Sequence, residues 1–353
     1  MAYDRLIDNI SYFLQAQDLA FGFEARVGSW TVVSFDATED INGLYAVQVA
    51  LASDDPVVDL HALIDTPATL SVHPKYTAPR YFSGIVETAE RGDSGIRRTF
   101  YTLTLRPPLY RLTQTSDCRI YQDTNVPNIV AEVLADHGIE DVAWALTGPH
   151  EAREYCCQYN ETAYAFVRRL LNEEGIFWYW THRHEGSTMT LSDDPLATPV
   201  ADHAATLPYN ATPGGQSREV WVSAFTHREK IKSTAYDMDD YTFYHPQGGL
   251  HRTRARGENN GTADRYPLYA YPGRYKDPAR VGEHFVRHRM EAVRVEATTG
   301  TGQTNSPHLF PGVRFRLTDH PDDAANTAHF LLSVQHHGQQ PTALEEDAPD
   351  NAA

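Results

Sequence analysis

Between Phe21 and Gly95, apolar and polar residues alternate with period two in five runs: FGFEARV, TVVSFDAT, LYAVQVALAS, ATLSVHP and YFSGIVETAE. Gly, Pro, Asp and Asn punctuate the gaps between them. Alternation of this kind builds strands that turn one face to a core, so the series predicts an antiparallel barrel or sandwich. A sixth run places Tyr101, Leu103 and Leu105 on one face, and Arg106-Pro107-Pro108 ends it. A first module over residues 1–110 follows, with strands around 215–245 expected to complete it.

The period changes after that. In CRIYQDTNVPNIVAEVLADHG, Pro127 suits a first helical turn, Ile129, Val130, Val133 and Leu134 share a face, and Gly138 is the stop. In REYCCQYNETAYAFVRRLLNEEG, Asn160 reads as the N-cap and Glu161 as a first-turn residue. Ala163, Phe166, Val167, Leu170 and Leu171 form the stripe, and Gly175 closes it. The run Phe177, Trp178, Tyr179 and Trp180 follows, apolar on both faces of a pleat, so it is expected in the core or at a subunit interface. Residues 111–205 form a second module with two helices, with strands around 305–340 expected to complete it.

Beyond it, Pro195–Ser217 reads as a surface crossing with few core residues. Strands are expected at EVWVSAF and DYTFYHP, and the Gly- and Arg-rich run from Gly248 to Gly261 reads as a mobile loop. A third, smaller segment over 246–304 carries a helix from Pro278 to Met290, with Val281, Phe285 and Val286 at helical spacing. Strands return at VRVEATT, VRFRLTD and HFLLSVQHH, and residues 341–353 read as a disordered acidic tail. The fold class is therefore mainly β (α+β), with antiparallel barrel-like modules and two or three short helices.

Charge narrows the function. A net charge of −17 over 353 residues, with no cluster of Lys and Arg, argues against nucleic-acid binding. The N-terminal MAYDRLIDNISYFLQ lacks the basic and apolar runs of a secretory leader. Cys118 and the adjacent Cys156 and Cys157 make an odd count that suits reduced thiols better than a disulfide framework. Among 17 histidines, the pairs His182/His184 and His336/His337 lack further ligands at metal spacing and read as surface residues. The carboxylate pairs Glu173-Glu174, Asp193-Asp194 and Asp322-Asp323 offer an acid and a base in principle. The first ends a helix, where negative charge opposes the dipole, and is expected in solvent. No GxSxG, nucleotide loop, HExxH or cysteine-nucleophile motif is present. Neither catalytic residues, nor cofactor, nor metal is assigned.

The runs LRPPLYRLTQTSDCRIYQDTNVPNIVAEVLADHGI and REYCCQYNETAYAFVRRLLNEEGIFWYW closely resemble the core of the VgrG spike proteins of type VI secretion. They are more distantly similar to the hub proteins of contractile phage tails. LYAVQVAL, PATLSV and RYFSGIVETAE before them, and YPGRY, LFPGVRFRLTDHP and FLLSVQHHG after them, extend the likeness over nearly the whole chain. Arg119 to Gln122 match the strand before the first helix, Glu154 to Tyr159 the strand before the second, and Phe166, Leu170, Leu171, Glu174 and Gly175 the second helix. These are fold positions, and the resemblance brings no catalytic residue.

The resemblance implies the hub of a puncturing spike: a homotrimer that docks on the inner-tube protein and baseplate and carries a needle, tip protein and effectors. The target membrane would be met only by the assembled spike. Assembly would be cytoplasmic, with delivery through the machine rather than by a leader. The family's needle follows the hub, whereas this chain ends at Ala353 soon after VQHHGQQP, so the hub alone is expected. The alternative is a baseplate or tail-hub protein of a contractile phage or prophage. A glycan hydrolase using two carboxylates and a carbohydrate-binding module using the aromatic strand are the readings from other classes.

Overall fold

The computed structural model describes residues 19–75, 77–95, 97–211, 220–241, 243, 251–256, 266–275 and 281–340. The strands, in chain order, are β1 (Leu19–Ala25), β2 (Thr31–Asp40), β3 (Ala46–Ser53), β4 (Pro67–Pro74), β5 (Arg80–Ser94), β6 (Thr99–Arg106) and β7 (Ser116–Thr124). They continue as β8 (Val142–Ala145), β9 (Arg153–Thr162), β10 (Phe177–Arg183), β11 (Gly186–Ser192), β12 (Thr206–Pro208), β13 (Val222–Glu229) and β14 (Ala235–Asp240). The last are β15 (His251–Arg256), β16 (Pro267–Ala270), β17 (Thr298–Thr304), β18 (Arg314–Thr318), β19 (Ala328–Phe330) and β20 (Ser333–Gln339). Among the described residues three α-helices interrupt them: α1 (Val126–Asp136), α2 (Ala163–Glu174) and α3 (Glu283–Arg294).

The first sheet has the order β1-β4-β5-β6-β3-β2-β20. Its inward positions are the alternating apolar residues of the sequence, Val47, Val49, Leu51, Leu103 and Leu105 among them. The sheet curls until its two edges meet: the Phe21 N–H donates to Gln340 Oε1 at 3.3 Å, and Gly338 leaves room for the Phe21 and Phe35 rings. The strand that closes this sheet is β20, from the far end of the chain, not the segment 215–245. In that segment β13 pairs with β17, and β14 with β15 and β16. Strands β18 and β19 of the segment 305–340 join β12 rather than the helical module. Period-two patterning states which face a strand buries but not which neighbour it takes.

One core runs from Phe23 to Leu191 across the boundary expected near Tyr110, through Leu105, Leu109, Leu112 and Val126. A second gathers Ala201, Ala204, Leu207, Val313 and Leu317. Of the stretch Pro195–Ser217, the described residues 195–211 are thus no bare surface crossing, since Ala201 and Ala204 pack under β18 and Leu207 is fully buried, and 212–217 lie outside the described residues. A third, smaller core joins Met238, Tyr275, Phe285 and Val286.

Helix α1 starts as expected, with the Asn125 side chain accepting from the Asn128 N–H at 3.0 Å and Pro127 in the first turn. Helix α2 differs. Its N-cap is Thr162, whose hydroxyl accepts from the Ala165 N–H at 3.1 Å. Asn160 is the extra residue of a bulge, because Asp117 pairs with Glu161 but Cys118 with Tyr159. Its φ of 49° is one that asparagine tolerates. Gly175, at φ 72°, ends α2 as expected. Helix α3 runs to Arg294, so the run VRVEATT opens with the last two residues of the helix, Val293 and Arg294, and β17 starts only at Thr298.

Within the run expected to be a loop, Gly248–Gly261, the residues 251–256 form β15, and the rest lies outside the described residues. So do the N-terminal stretch, most of DYTFYHP, Pro278 and the tail 341–353. No helix among the described residues is long and apolar enough to cross a membrane.

Candidate functional site

The aromatic run lies inside the molecule. Trp178, Tyr179 and Trp180 are buried and Phe177 is half-buried. One face of β10 meets the first sheet, where the Tyr45 ring stands edge-on to Trp180 at 5.5 Å. The other meets the second core: Tyr179 lies 6.4 Å from Phe310, Phe177 lies 6.0 Å from Phe330, and Gly312 sits on the Tyr179 ring. Both sides are covered by the chain itself. The run therefore supplies no argument for oligomerisation and offers no groove for stacking a sugar.

A charged network lies beneath the first sheet. Glu39 and Arg80, both buried, pair at 2.9 Å. His182 Nδ1 accepts from the Ser83 N–H at 3.1 Å, which leaves Nε2 protonated and donating to Glu39 Oε1 at 3.0 Å. His336 Nε2 stands 3.8 Å from Glu39 Oε2 and 3.0 Å from the Leu309 carbonyl. Arg80 also lies over the Phe82 and Phe310 rings. Burial alone would raise the Glu39 carboxyl, but Arg80, His182 and His336 outweigh it and hold it at about 2. Burial depresses His182, so it stays neutral. His182 and His336 are therefore interior, against the surface reading, while His184 and His337 face outward. Glu39 and Arg80 were missed. Their signal was a charge at an inward strand position, Glu39 after Phe35 and Ala37, and Arg80 before Phe82.

A second network closes the end of α2. Glu173 and Glu174 are buried rather than solvated. Arg153 bridges them, Nη1 to Glu173 at 2.7 Å and Nη2 to Glu174 at 2.6 Å, and Arg274 reaches Glu173 at 2.5 Å. His150 stands between Glu174 at 3.1 Å and Asp193 at 3.4 Å. These cations cancel the charge that opposes the helix dipole, which is how the pair can be buried. The hydrogen bond to Glu174 raises His150 against the opposing effect of burial. Asp193 accepts from the Thr147 and Gly148 N–H groups. Asp194 and Asp322 accept from the N–H groups of Leu196 and Ala324, as local turns require.

The carboxylate oxygens of Glu39, Glu173 and Glu174 are thus taken up by cations and hydrogen bonds, an arrangement that ties elements together. Among the described residues no group of three or more His, Cys, Asp or Glu is arranged to hold a metal ion. All three cysteines are free. Cys118 and Cys156 lie on paired strands but on opposite faces, the first exposed and the second buried.

Residues 38–342 match the family described as Phage tail baseplate hub (GPD). The type VI secretion system spike protein VgrG3 of Vibrio cholerae is 34% identical over 311 residues, covering 87% of this chain and 30% of that protein. The actin cross-linking toxin VgrG1 of Vibrio cholerae is 33% identical over 308 residues, 87% of this chain and 28% of that protein. The chain thus spans about a third of the length of these relatives, and the activity in the second name is that protein's. Among solved structures, the Escherichia coli c3393 protein is a type VI secretion component for which likeness to the T4 bacteriophage tail proteins gp27 and gp5 is stated. It aligns with a TM-score of 0.67 at 18% identity, over 90% of this chain and 73% of that one, a likeness of fold.

Proposed function

Since the chain belongs to the phage tail baseplate hub family, we propose that it is the structural hub of the puncturing spike of a type VI secretion system. Three copies form a ring that docks on the inner-tube protein and baseplate, and the needle, tip and effectors are carried beyond it. The sheet module, the helical module and the smaller module of α3 are its building units. The observation that carries this reading is 34% identity to a type VI spike protein along 87% of the chain. The interior supports it, since the carboxylates an enzyme would use as acid and base are engaged as clamps. The reading also has the chain made in the cytoplasm and delivered by the machine. A phage or prophage tail hub is the second reading, favoured by the family's own description.

The experiment mixes the purified chain with rings of a type VI inner-tube protein and, separately, of a phage tail-tube protein. Electron microscopy is expected to find three copies capping the type VI ring. Capping of the phage ring alone selects the second reading. A chain that caps neither, yet hydrolyses a glycan, overturns both.

A further inference from the structure

The sequence holds two Asn-Gly pairs, Asn42-Gly43 and Asn260-Gly261. Such a pair is native to tight turns, and the first serves as one between β2 and β3. It is also the pair in which an asparagine side chain is most open to attack by its own backbone. Glycine has no β-carbon, so nothing shields its nitrogen from the neighbouring side-chain amide. Packing keeps the glycine in place, because a β-carbon at Gly43 would crowd Asp40 at 3.0 Å.

The fold holds Asn42-Gly43 away from that reaction. Asn42 Oδ1 accepts from the Trp178 N–H at 2.9 Å, which turns the side-chain amide toward β10, and the Asn42 N–H donates to the Trp178 carbonyl at 2.9 Å. The Gly43 N–H, whose proton must leave before its nitrogen can attack, donates to the Asp40 carbonyl at 3.1 Å. The Gly43 carbonyl is fixed in turn by the indole N–H groups of Trp178 and Trp180, both at 3.2 Å. Asn42 is only half-buried, so these hydrogen bonds rather than exclusion of water are what restrains it.

We propose that Asn42 is a conditional modification site, deamidated when the β2–β3 turn releases β10 and protected while the two are joined. Once the turn opens, the Gly43 nitrogen loses its proton and bonds to Asn42 Cγ. The Cγ–Nδ2 bond breaks, and the amide nitrogen leaves as ammonia with that proton. One water then opens the cyclic imide. Opening at Cγ gives aspartate, and opening at the Asn42 backbone carbonyl gives isoaspartate, whose main chain runs through the former side chain.

The two products differ in consequence. Aspartate keeps an acceptor for the Trp178 N–H. Isoaspartate adds a carbon to the backbone of the turn, so the anchors of Asn42 and Gly43 no longer meet β10 in register. An opening at the joint between the first sheet and β10 is thereby recorded permanently, at a rate set by the population of the open form. The inference does not rest on the hub reading, and none of the outcomes below bears on that reading.

The test ages the full chain in mildly alkaline buffer, native and in denaturing urea, and follows each Asn-Gly peptide by mass spectrometry as a gain of about one mass unit. Asn260-Gly261 in urea times the chemistry. In urea the two pairs are expected to react at similar rates. In native buffer Asn42 is expected to react about tenfold more slowly than in urea, or slower still, and tenfold is equivalent to an opening cost of about 1.4 kcal/mol. Trp178→Phe and Trp180→Phe each keep a ring in the core but remove one indole N–H from the Gly43 carbonyl. Both are expected to speed the native reaction at Asn42 severalfold and to leave its rate in urea unchanged. Wild type in rising, sub-denaturing urea gives a reading that needs no variant, since Asn42 is expected to accelerate as the joint opens.

An Asn42 that reacts as fast in native buffer as in urea overturns the protection. One that stays intact in urea while Asn260 reacts overturns the site. A native rate that neither tryptophan variant nor sub-denaturing urea moves overturns the link to β10.

Discussion

Asn42 and Trp178 hold each other by two hydrogen bonds. The Asn42 N–H donates to the Trp178 carbonyl at 2.9 Å, and the Trp178 N–H donates to Asn42 Oδ1 at 2.9 Å. The next residue adds to this, since the Gly43 carbonyl accepts the indole N–H of both Trp178 and Trp180 at 3.2 Å. The turn between β2 and β3 is thus the partner that lets two tryptophans be buried with their donors satisfied. Asn42 has a φ of 59°, which few side chains other than asparagine accept without strain.

Asn42→Ala leaves the Trp178 N–H without its acceptor and a β-carbon in the left-handed region. A loss of about 1–3 kcal/mol is expected from the unmet donor, and Asn42→Asp is expected to lose less because it keeps an acceptor and tolerates the same backbone. Urea unfolding monitored by tryptophan fluorescence checks both. Equal midpoints for wild type and the alanine variant would show that the turn does not anchor the strand.

Leu170 is fully buried between α2 and the surrounding core. Leu170→Ala is expected to lower stability by about 2–5 kcal/mol, the range for a buried leucine that leaves a cavity. Calorimetry reads it as a fall in melting temperature, and exposed Leu196, replaced in the same way, is the control that stays near wild type.

Breaking the Glu39–Arg80 pair from one side strands a buried charge. Glu39→Gln or Arg80→Met alone is expected to destabilise by about 3–5 kcal/mol, whereas the double variant recovers much of that loss. A double-mutant cycle by chemical denaturation measures the coupling, and additive single effects would mean that the two charges are not coupled.

Acid is expected to loosen the fold in two steps. Burial depresses His73, His182, His284, His288, His308 and His336, with His288 and His308 down to about 4. A depressed histidine contributes stability above its unfolded value of about 6.5 and loses it as the pH falls. Among the described residues His150 is the one histidine that is raised, chiefly by Glu174, and it has the opposite sign: its contribution is present below about 6.5 and lost as the pH rises through its folded value. Among the described residues six against one makes the first step a loss that starts as the pH falls through about 6.5 and, for His288 and His308, continues to about 4. Glu39, Glu174 and Asp193 are held low by their partners, so their contributions disappear below the ordinary carboxylate range. Melting temperature followed from pH 8 to 3 tests this, and a curve that is flat or rises toward pH 5 would contradict it.

The thiols offer a chemical check. Cys118 is exposed and Cys156 buried, and none of the three is bonded. In native protein, alkylation is expected at Cys118 well before Cys156, which should react only on unfolding, and reductant should leave the melting temperature unchanged. A mass lower by two protons without reductant would reveal a disulfide.

Much of the fold was written locally. Alternation marked the strands of the first sheet, the stripe from Ala163 to Leu171 marked α2, and Gly175 marked its end, because period and cap chemistry depend on neighbours a few residues away. The buried run at Trp178 was legible too, since a pleat apolar on both faces can be stable only when covered twice.

What only the tertiary structure decided was pairing at a distance. β20 closes a sheet begun some 300 residues earlier, with His337 opposite Asp36. Arg153 reaches the end of α2, which turned Glu173 and Glu174 from expected solvent residues into a buried clamp. Thr162 took the cap because a bulge at Asn160, forced by register with β7, displaced it. A residue's burial and charge state depend on groups brought beside it by the fold, and local periodicity carries no information about which groups those are.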